Sequence, residues 1–192
     1  MPSATEESGD DFRKKTFTAR SLVAGIARFV QNIPRLVRAK RADRVSDRFA
    51  EKIMLAVTAV NDCQYCTRYH TDLARETGVD RETITLILER DVDAAVDDTE
   101  LPALLFAQQY AETDEKPGRE ALEALEAAYG RETAGDIVAF ARAIYFGNLL
   151  GNTYDGVRFA LARRAQAGRR GLRDARSRVG RAVERLRERC PV

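Results

Sequence analysis

One histidine, His70, is the only imidazole in this chain of 192 residues, and only three cysteines accompany it: Cys63, Cys66 and Cys190. Any imidazole chemistry must therefore pass through His70. A lone C-x-x-C with no second cysteine pair leaves a closed structural zinc site short of ligands. A c-type haem attachment needs a histidine directly after the second cysteine, and Thr67 stands there. Long apolar runs are also lacking. Residues 22–37, the most apolar N-terminal stretch, are broken by Arg28, Gln31, Asn32, Pro34 and Arg35, which excludes a bilayer span. No short apolar run leads into a small-residue cleavage site, so no secretory signal is read and a cytoplasmic location is expected. In a reducing compartment a close cysteine pair serves redox or metal chemistry more often than it staples a fold. Strict alternation of apolar and polar residues is missing throughout, which excludes an extended β-architecture.

What is present is helical periodicity in a chain with a segregated charge. The net charge of +2 conceals a basic N-terminal part (+5 over 1–50), an acidic middle (−11 over 51–160) and a basic end (+8 over 161–192). That pattern predicts a core domain over 18–160, its motif core at 45–90. A disordered segment over 1–17 and an Arg-rich amphipathic extension over 161–192 flank it. The expected fold class is all-α, a compact multi-helix bundle with a basic C-terminal helical extension.

In the first helix, from about Thr18, Leu22, Ile26, Phe29, Val30, Ile33 and Val37 form a stripe, with Pro34 expected to kink it or begin a new helix. A second helix runs from Asp47 to Val60. Asn61, three residues before Gln64, suggests a capping box for a third helix that starts near Cys63 and ends at Gly78. Asp80 is the expected N-cap of a short helix to Arg90, followed by an acidic connection over 91–100. Further helices are expected at about 101–113, 118–129 and 132–150, separated at Lys116-Pro117-Gly118 and at Gly130.

The informative stretch is Glu51 to His70, EKIMLAVTAVNDCQYCTRYH. If Cys63 opens a helix, the spacings of three and four place Cys63, Cys66 and His70 on one face. A thiol in the first turn meets unpaired N–H groups and the positive end of the helix dipole, which favour its thiolate. An imidazole one turn on can accept the thiol proton or stabilise the thiolate. Two thiols so close can also close into a disulfide, the natural resolution of a sulfenic acid left by a peroxide. The bland alternatives are that the cysteines are small buried hydrophobes and His70 a satisfied core residue, and that Glu51 is a solvated charge.

The combination of Glu51, the apolar run Ile53 to Val60, Asn61, and Cys63-x-x-Cys66-x-x-x-His70 resembles the alkyl hydroperoxidase D-like, C-x-x-C-containing branch of the carboxymuconolactone decarboxylase superfamily. The similarity is strongest over about 45–90 and extends more loosely through the helix Phe140 to Phe159, with Asn148 and Asn152. The resemblance implies a helical alkyl hydroperoxidase D-like fold and a thiol-dependent peroxidase with no bound cofactor or metal. It makes Cys66 the peroxidatic thiol, Cys63 the resolving and more accessible one, and Glu51 with His70 a proton relay, with Asn61 and Tyr65 in support. Tyr65 departs from the family pattern, since several members carry a second histidine there, and a phenol with pKa near about 10 is a poor base at neutrality. The resemblance further implies a small-molecule hydroperoxide as substrate, an external dithiol or redox protein as reductant, and a homotrimer or homohexamer. Decarboxylases of the superfamily lack the cysteine pair, which places lactone decarboxylation second.

Two other function classes fit the composition: a general thiol–disulfide oxidoreductase, and a non-enzymatic helical scaffold whose basic 161–192 binds membrane or nucleic acid. The favoured reading of that segment is an arm packed on an acidic face of this chain or of a neighbouring subunit. No aromatic residue follows Phe159 to stack on bases. Cys190 is expected to be an exposed, non-catalytic thiol.

Overall fold

The computed structural model describes residues 12–189, and among them every regular element is a helix. In chain order these are α1 (Ala19–Ala42), α2 (Asp47–Asn61), α3 (Gln64–Glu76), α4 (Arg81–Leu88), α5 (Val92–Ala95), α6 (Leu101–Glu112) and α7 (Arg119–Arg189). The all-α expectation holds. Residues 1–11 and Cys190 lie outside the described residues, as do the side chains of Leu172, Ala175, Val179, Ala182, Val183 and Leu186, whose heptad-like spacing is the apolar side expected of the amphipathic extension.

The chain divides into two units, Arg13–Thr153 and Phe12 together with the residues from Tyr154 onward. In the first, α2 is the central element and packs against α3, α4 and α6. Its burial is nearly complete: Ile53, Leu55, Ala56, Val57 and Thr58 are inaccessible to solvent. Each large aliphatic side chain so buried contributes roughly 1.5–3 kcal/mol of transfer free energy. A helix buried on all sides must also pair whatever charge it carries. Glu51 pairs with His70, and Lys52 with Glu100.

Local signals explain the boundaries. Ser46 caps α2, and its Oγ accepts from Phe49 N. Asp62, in the left-handed region at φ 51, ends it. Asp80 caps α4 as expected, and Gly78 and Gly118 take the positive φ values (85 and 87) that favour glycine. Gly130, at φ 75 and ψ 157, interrupts α7 where the break was expected.

Several expectations need correction. Asn61 does not cap α3: it is the last residue of α2, and Cys63 is the cap. The capping box in this fold lies instead at Thr18 and Ser21. Pro34 begins no new helix, because α1 runs through it as one element. The acidic connection over 91–100 contains the turn of helix α5, capped by Asp91. The helix expected to stop near 150 continues to Arg189. Residues 13–17, inside the segment expected to be disordered, are tied down: Lys15 pairs with Asp114 at 2.7 Å, and Phe17 N donates to Thr153 Oγ1 at 2.8 Å.

The stripe read on α1 is in fact two stripes. Gly25, Asn32 and Ala39 are buried, with Leu22, Phe29 and Leu36 half-buried beside them. Val23, Ile26, Val30, Ile33 and Val37 form a separate, exposed row at spacings of three and four. The inner row is fastened to α7 by Asn32, whose amide donates to Ala139 O at 2.8 Å, and by Arg35 and Arg44, which grip the buried carboxylate of Asp136.

In the second unit the α7 backbone stays helical to Arg189, and residues 161–170 are exposed. Phe12 packs on Phe159 at 5.9 Å between ring centroids, and Arg163 lies over the same Phe159 ring. No helix among the described residues is long and apolar enough to cross a membrane.

Candidate active site

Cys63 sits where the chain turns out of α2 into α3. Serving as the cap, it accepts a long hydrogen bond (3.4 Å) from Cys66 N through its sulfur. Its carbonyl accepts from Thr67 N, the first hydrogen bond of the helix. Cys66 and His70 then follow at one-turn intervals. The two sulfurs are 2.7 Å apart and share a hydrogen bond. That is closer than two sulfurs in ordinary contact and longer than a covalent S–S bond of about 2.05 Å.

Behind His70 stands Glu51, one turn into α2. His70 Nδ1 donates to Glu51 Oε2 at 2.7 Å, and both side chains are about nine-tenths buried. The carboxylate fixes the tautomer, which leaves Nε2 of a neutral ring as its basic nitrogen. Tyr69 meets the imidazole edge-on, with ring centroids 5.1 Å apart.

Cys66 and His70 open together onto a cavity of about 390 Å³ whose other lining residues are Met54, Tyr65, Tyr69, Ala143, Ile144 and Gly147. The lining is almost wholly apolar. Cys66 is the partly accessible thiol and Cys63 is fully buried, which reverses the order of accessibility expected from the resemblance. The reason is the cap geometry: it turns the Cys63 sulfur inward, against the backbone of α7 at Gly151.

Ionisation of Cys66 is held back. The hydrogen bond with Cys63 is the largest cause, followed by burial, and together they raise the thiol well above its ordinary range. The Asn148 side chain opposes them.

All four expected catalytic residues, Glu51, Cys63, Cys66 and His70, are thus brought together, and Tyr65 stands at the cavity. Asn61 does not reach the sulfurs. Its amide donates to Asn148 Oδ1 at 3.2 Å and its carbonyl accepts from Asn152 Nδ2 at 2.7 Å, so it ties the end of α2 to α7. Asn148 Nδ2 also donates to Thr58 Oγ1 at 3.1 Å. Thr58, Met54, Tyr69, Ile144, Gly147, Asn148 and Gly151 were given no site role from the sequence. One signal for three of them was there: Gly147-Asn148 recurs four residues on as Gly151-Asn152, on one face of a helix. Among the described residues, no three His, Cys, Asp or Glu side chains are grouped so as to hold a metal ion.

Residues 26–109 match the model of the carboxymuconolactone decarboxylase family. The matched stretch contains α2, the Cys63–Cys66 pair and His70, and it ends before the Asn148 region of α7. Neither the curated proteins nor the solved structures compared with the chain gave a match. The helical fold agrees with this match: residues 26–109, somewhat under half of the chain, are similar to the carboxymuconolactone decarboxylase family.

Proposed function

We propose that the protein is a dithiol peroxidase of the alkyl hydroperoxidase D-like kind, reducing a hydroperoxide at Cys66. One observation carries this reading: Cys66 and His70 face the same apolar cavity, with the second thiol behind one and a carboxylate behind the other. A binding scaffold has no need of a base–carboxylate pair beside two touching sulfurs.

The chemistry follows from the placement. His70, oriented by Glu51, accepts the Cys66 proton, and the thiolate attacks the distal peroxide oxygen. The O–O bond breaks, Cys66 becomes a sulfenic acid, and the departing alkoxide takes a proton to leave as an alcohol. The Cys63 sulfur then attacks the sulfenic sulfur, an S–S bond forms, and hydroxide leaves as water after protonation. The disulfide accepts two electrons and two protons from an external dithiol, which is itself oxidised. Every group needed up to that last step lies within residues 51–70.

The test is a thiol count on the reduced protein after one equivalent of hydroperoxide. The reading expects two thiols lost per peroxide consumed, with no peroxide consumed by Cys66→Ser. Survival of both thiols in the unsubstituted protein would overturn it.

A further inference from the structure

Gly147 lies on the α7 wall of the Cys66 cavity, with Ala143 and Ile144 beside it. Its backbone is ordinary helix, so no left-handed turn requires a glycine there. A β-carbon at this position would meet only Ile144 Cδ1, at 4.0 Å, which is ordinary van der Waals contact. The other glycines of residues 13–153 differ from it. Gly78, Gly118 and Gly130 take positive φ. At Gly25, Gly135 and Gly151 a side chain already stands where the β-carbon would go. Gly147 alone among them is imposed neither by backbone conformation nor by packing, although alanine is the better helix former. The missing side chain leaves open space, and that space adjoins the cavity.

We propose that this space is a subsite for the hydrocarbon group of an organic hydroperoxide, and that Gly147 sets the size of the group admitted. The proposal deepens the dithiol-peroxidase reading and, for turnover, rests on it. Cys66 and His70 form the reacting part of the cavity, and Tyr65 and Tyr69 are the exposed aromatic members of its lining. The remaining lining residues, Met54, Ala143, Ile144 and Gly147, carry no N–H or O–H on their side chains. A hydroperoxide with its terminal oxygen at the Cys66 sulfur lays its carbon group against these residues. Each further CH₂ removed from water there strengthens binding about fourfold. Hydrogen peroxide has no carbon to bury, so the apolar walls do nothing for it. A side chain at 147 would occupy volume that only a carbon group needs, and in an apolar pocket one methylene decides about tenfold or more in selectivity.

The experiment compares kcat/KM for cumyl hydroperoxide with kcat/KM for hydrogen peroxide, both with dithiothreitol as reductant. The full chain is compared with Gly147→Ala and Gly147→Leu. The readout is the ratio of the two constants, in which a general change in thiol reactivity cancels. That ratio is expected to fall about tenfold in Gly147→Ala and about a hundredfold in Gly147→Leu. The urea midpoint of Gly147→Ala should rise at the same time, because a better helix former enters open space. A stabilised variant with narrowed selectivity separates lost volume from lost fold. A second measurement requires no variant: 2-phenyl-2-propanol, the alcohol that reduction of cumyl hydroperoxide releases, is titrated into the unsubstituted protein. It should shift the NMR signals of the Met54 methyl group and of the Tyr65 and Tyr69 rings, and the shifts should be lost in Gly147→Leu. A ratio within twofold of the unsubstituted protein in folded Gly147→Leu, or an alcohol that leaves those signals in place, would overturn the proposal. If the unsubstituted protein consumes neither peroxide but the alcohol shifts all three signals, the peroxidase reading fails and the apolar subsite stands.

Discussion

Gly151 and Cys63 approach so closely that a β-carbon on Gly151 would sit 2.8 Å from the Cys63 sulfur. Tyr65 lies next, at 3.5 Å from the same point. A glycine inside a helix costs about 1 kcal/mol relative to alanine, so an alanine there would be gained without penalty if the space were open. Here the space is filled by a sulfur. Gly151→Ala is expected to lower stability by about 1–3 kcal/mol, the cost of overpacking, rather than raise it. It should also displace the Cys63 sulfur and slow disulfide closure. Trapping with a sulfenic-acid reagent after peroxide would show more trapped Cys66 than in the unsubstituted protein. A more stable variant with unchanged trapping would show that the contact imposes nothing.

The same relationship shows how far the sequence could be read. Glu51, Cys63, Cys66 and His70 lie within twenty residues: helical periodicity sets Cys66 and His70 one turn apart on α3, and the short turn from α2 into α3 brings Glu51 to His70. The other wall of the site comes from α7, with Asn61 and Asn148 separated by 87 residues. No local rule states that Gly151 meets the Cys63 sulfur or that Asn148 pairs with Asn61 and Thr58. The misplaced cap has a similar cause. Asn61 is the better capping residue by chemistry, but its amide is drawn into the tertiary contact with Asn148, and the cap falls to a cysteine. On α1 the periodicity was visible, yet two interleaved rows of apolar residues share one helix. Only the packing on α7 shows that the Gly25–Asn32–Ala39 row is the inner one.

Glu51→Gln keeps a hydrogen-bond acceptor for His70 but removes the charge that supports an imidazolium. General acid–base assistance contributes about 10²–10⁴-fold. Since the ring remains held in place, a fall in peroxide consumption of about 10²-fold is expected, with the number of titratable thiols unchanged. Stopped-flow measurement of peroxide loss checks it. A rate within twofold of the unsubstituted protein would remove Glu51 from the relay.

Accessibility separates the two thiols. Cys66 opens onto the cavity and Cys63 is buried behind it. A bulky maleimide should therefore label Cys66 well before Cys63 in the reduced, folded protein, as read from labelled peptides by mass spectrometry. Unfolding in urea should make the two label together. Prior labelling of Cys63 would mean that α3 opens at its first turn in solution, and the resolving thiol would then be the exposed one after all.

A last prediction concerns pH, and it lies outside the cysteine site. Tyr110 is pushed up to about 12, chiefly by burial. Its hydroxyl donates to Glu115 Oε1 at 3.2 Å. The folded-state value exceeds the ordinary phenol value of 10, so the protonated phenol favours the folded state. That contribution is complete below about pH 10 and is lost as the pH rises through about 12. Tyr145, whose ring packs edge-on against Tyr110, is raised in the same direction, first by burial and then by Asp114. In Tyr110→Phe the hydrogen bond to Glu115 disappears, so stability at pH 8 should fall by about 1 kcal/mol. The further loss between pH 10 and 12 should be smaller than in the unsubstituted protein, by about 2 kcal/mol. Urea midpoints at pH 8 and pH 11.5 for both proteins test the sign directly: the two curves should converge and then cross as the pH rises, leaving Tyr110→Phe the more stable at pH 11.5. Parallel curves would mean that Tyr110 ionises without disturbing the fold, and that the alkaline limit is set elsewhere.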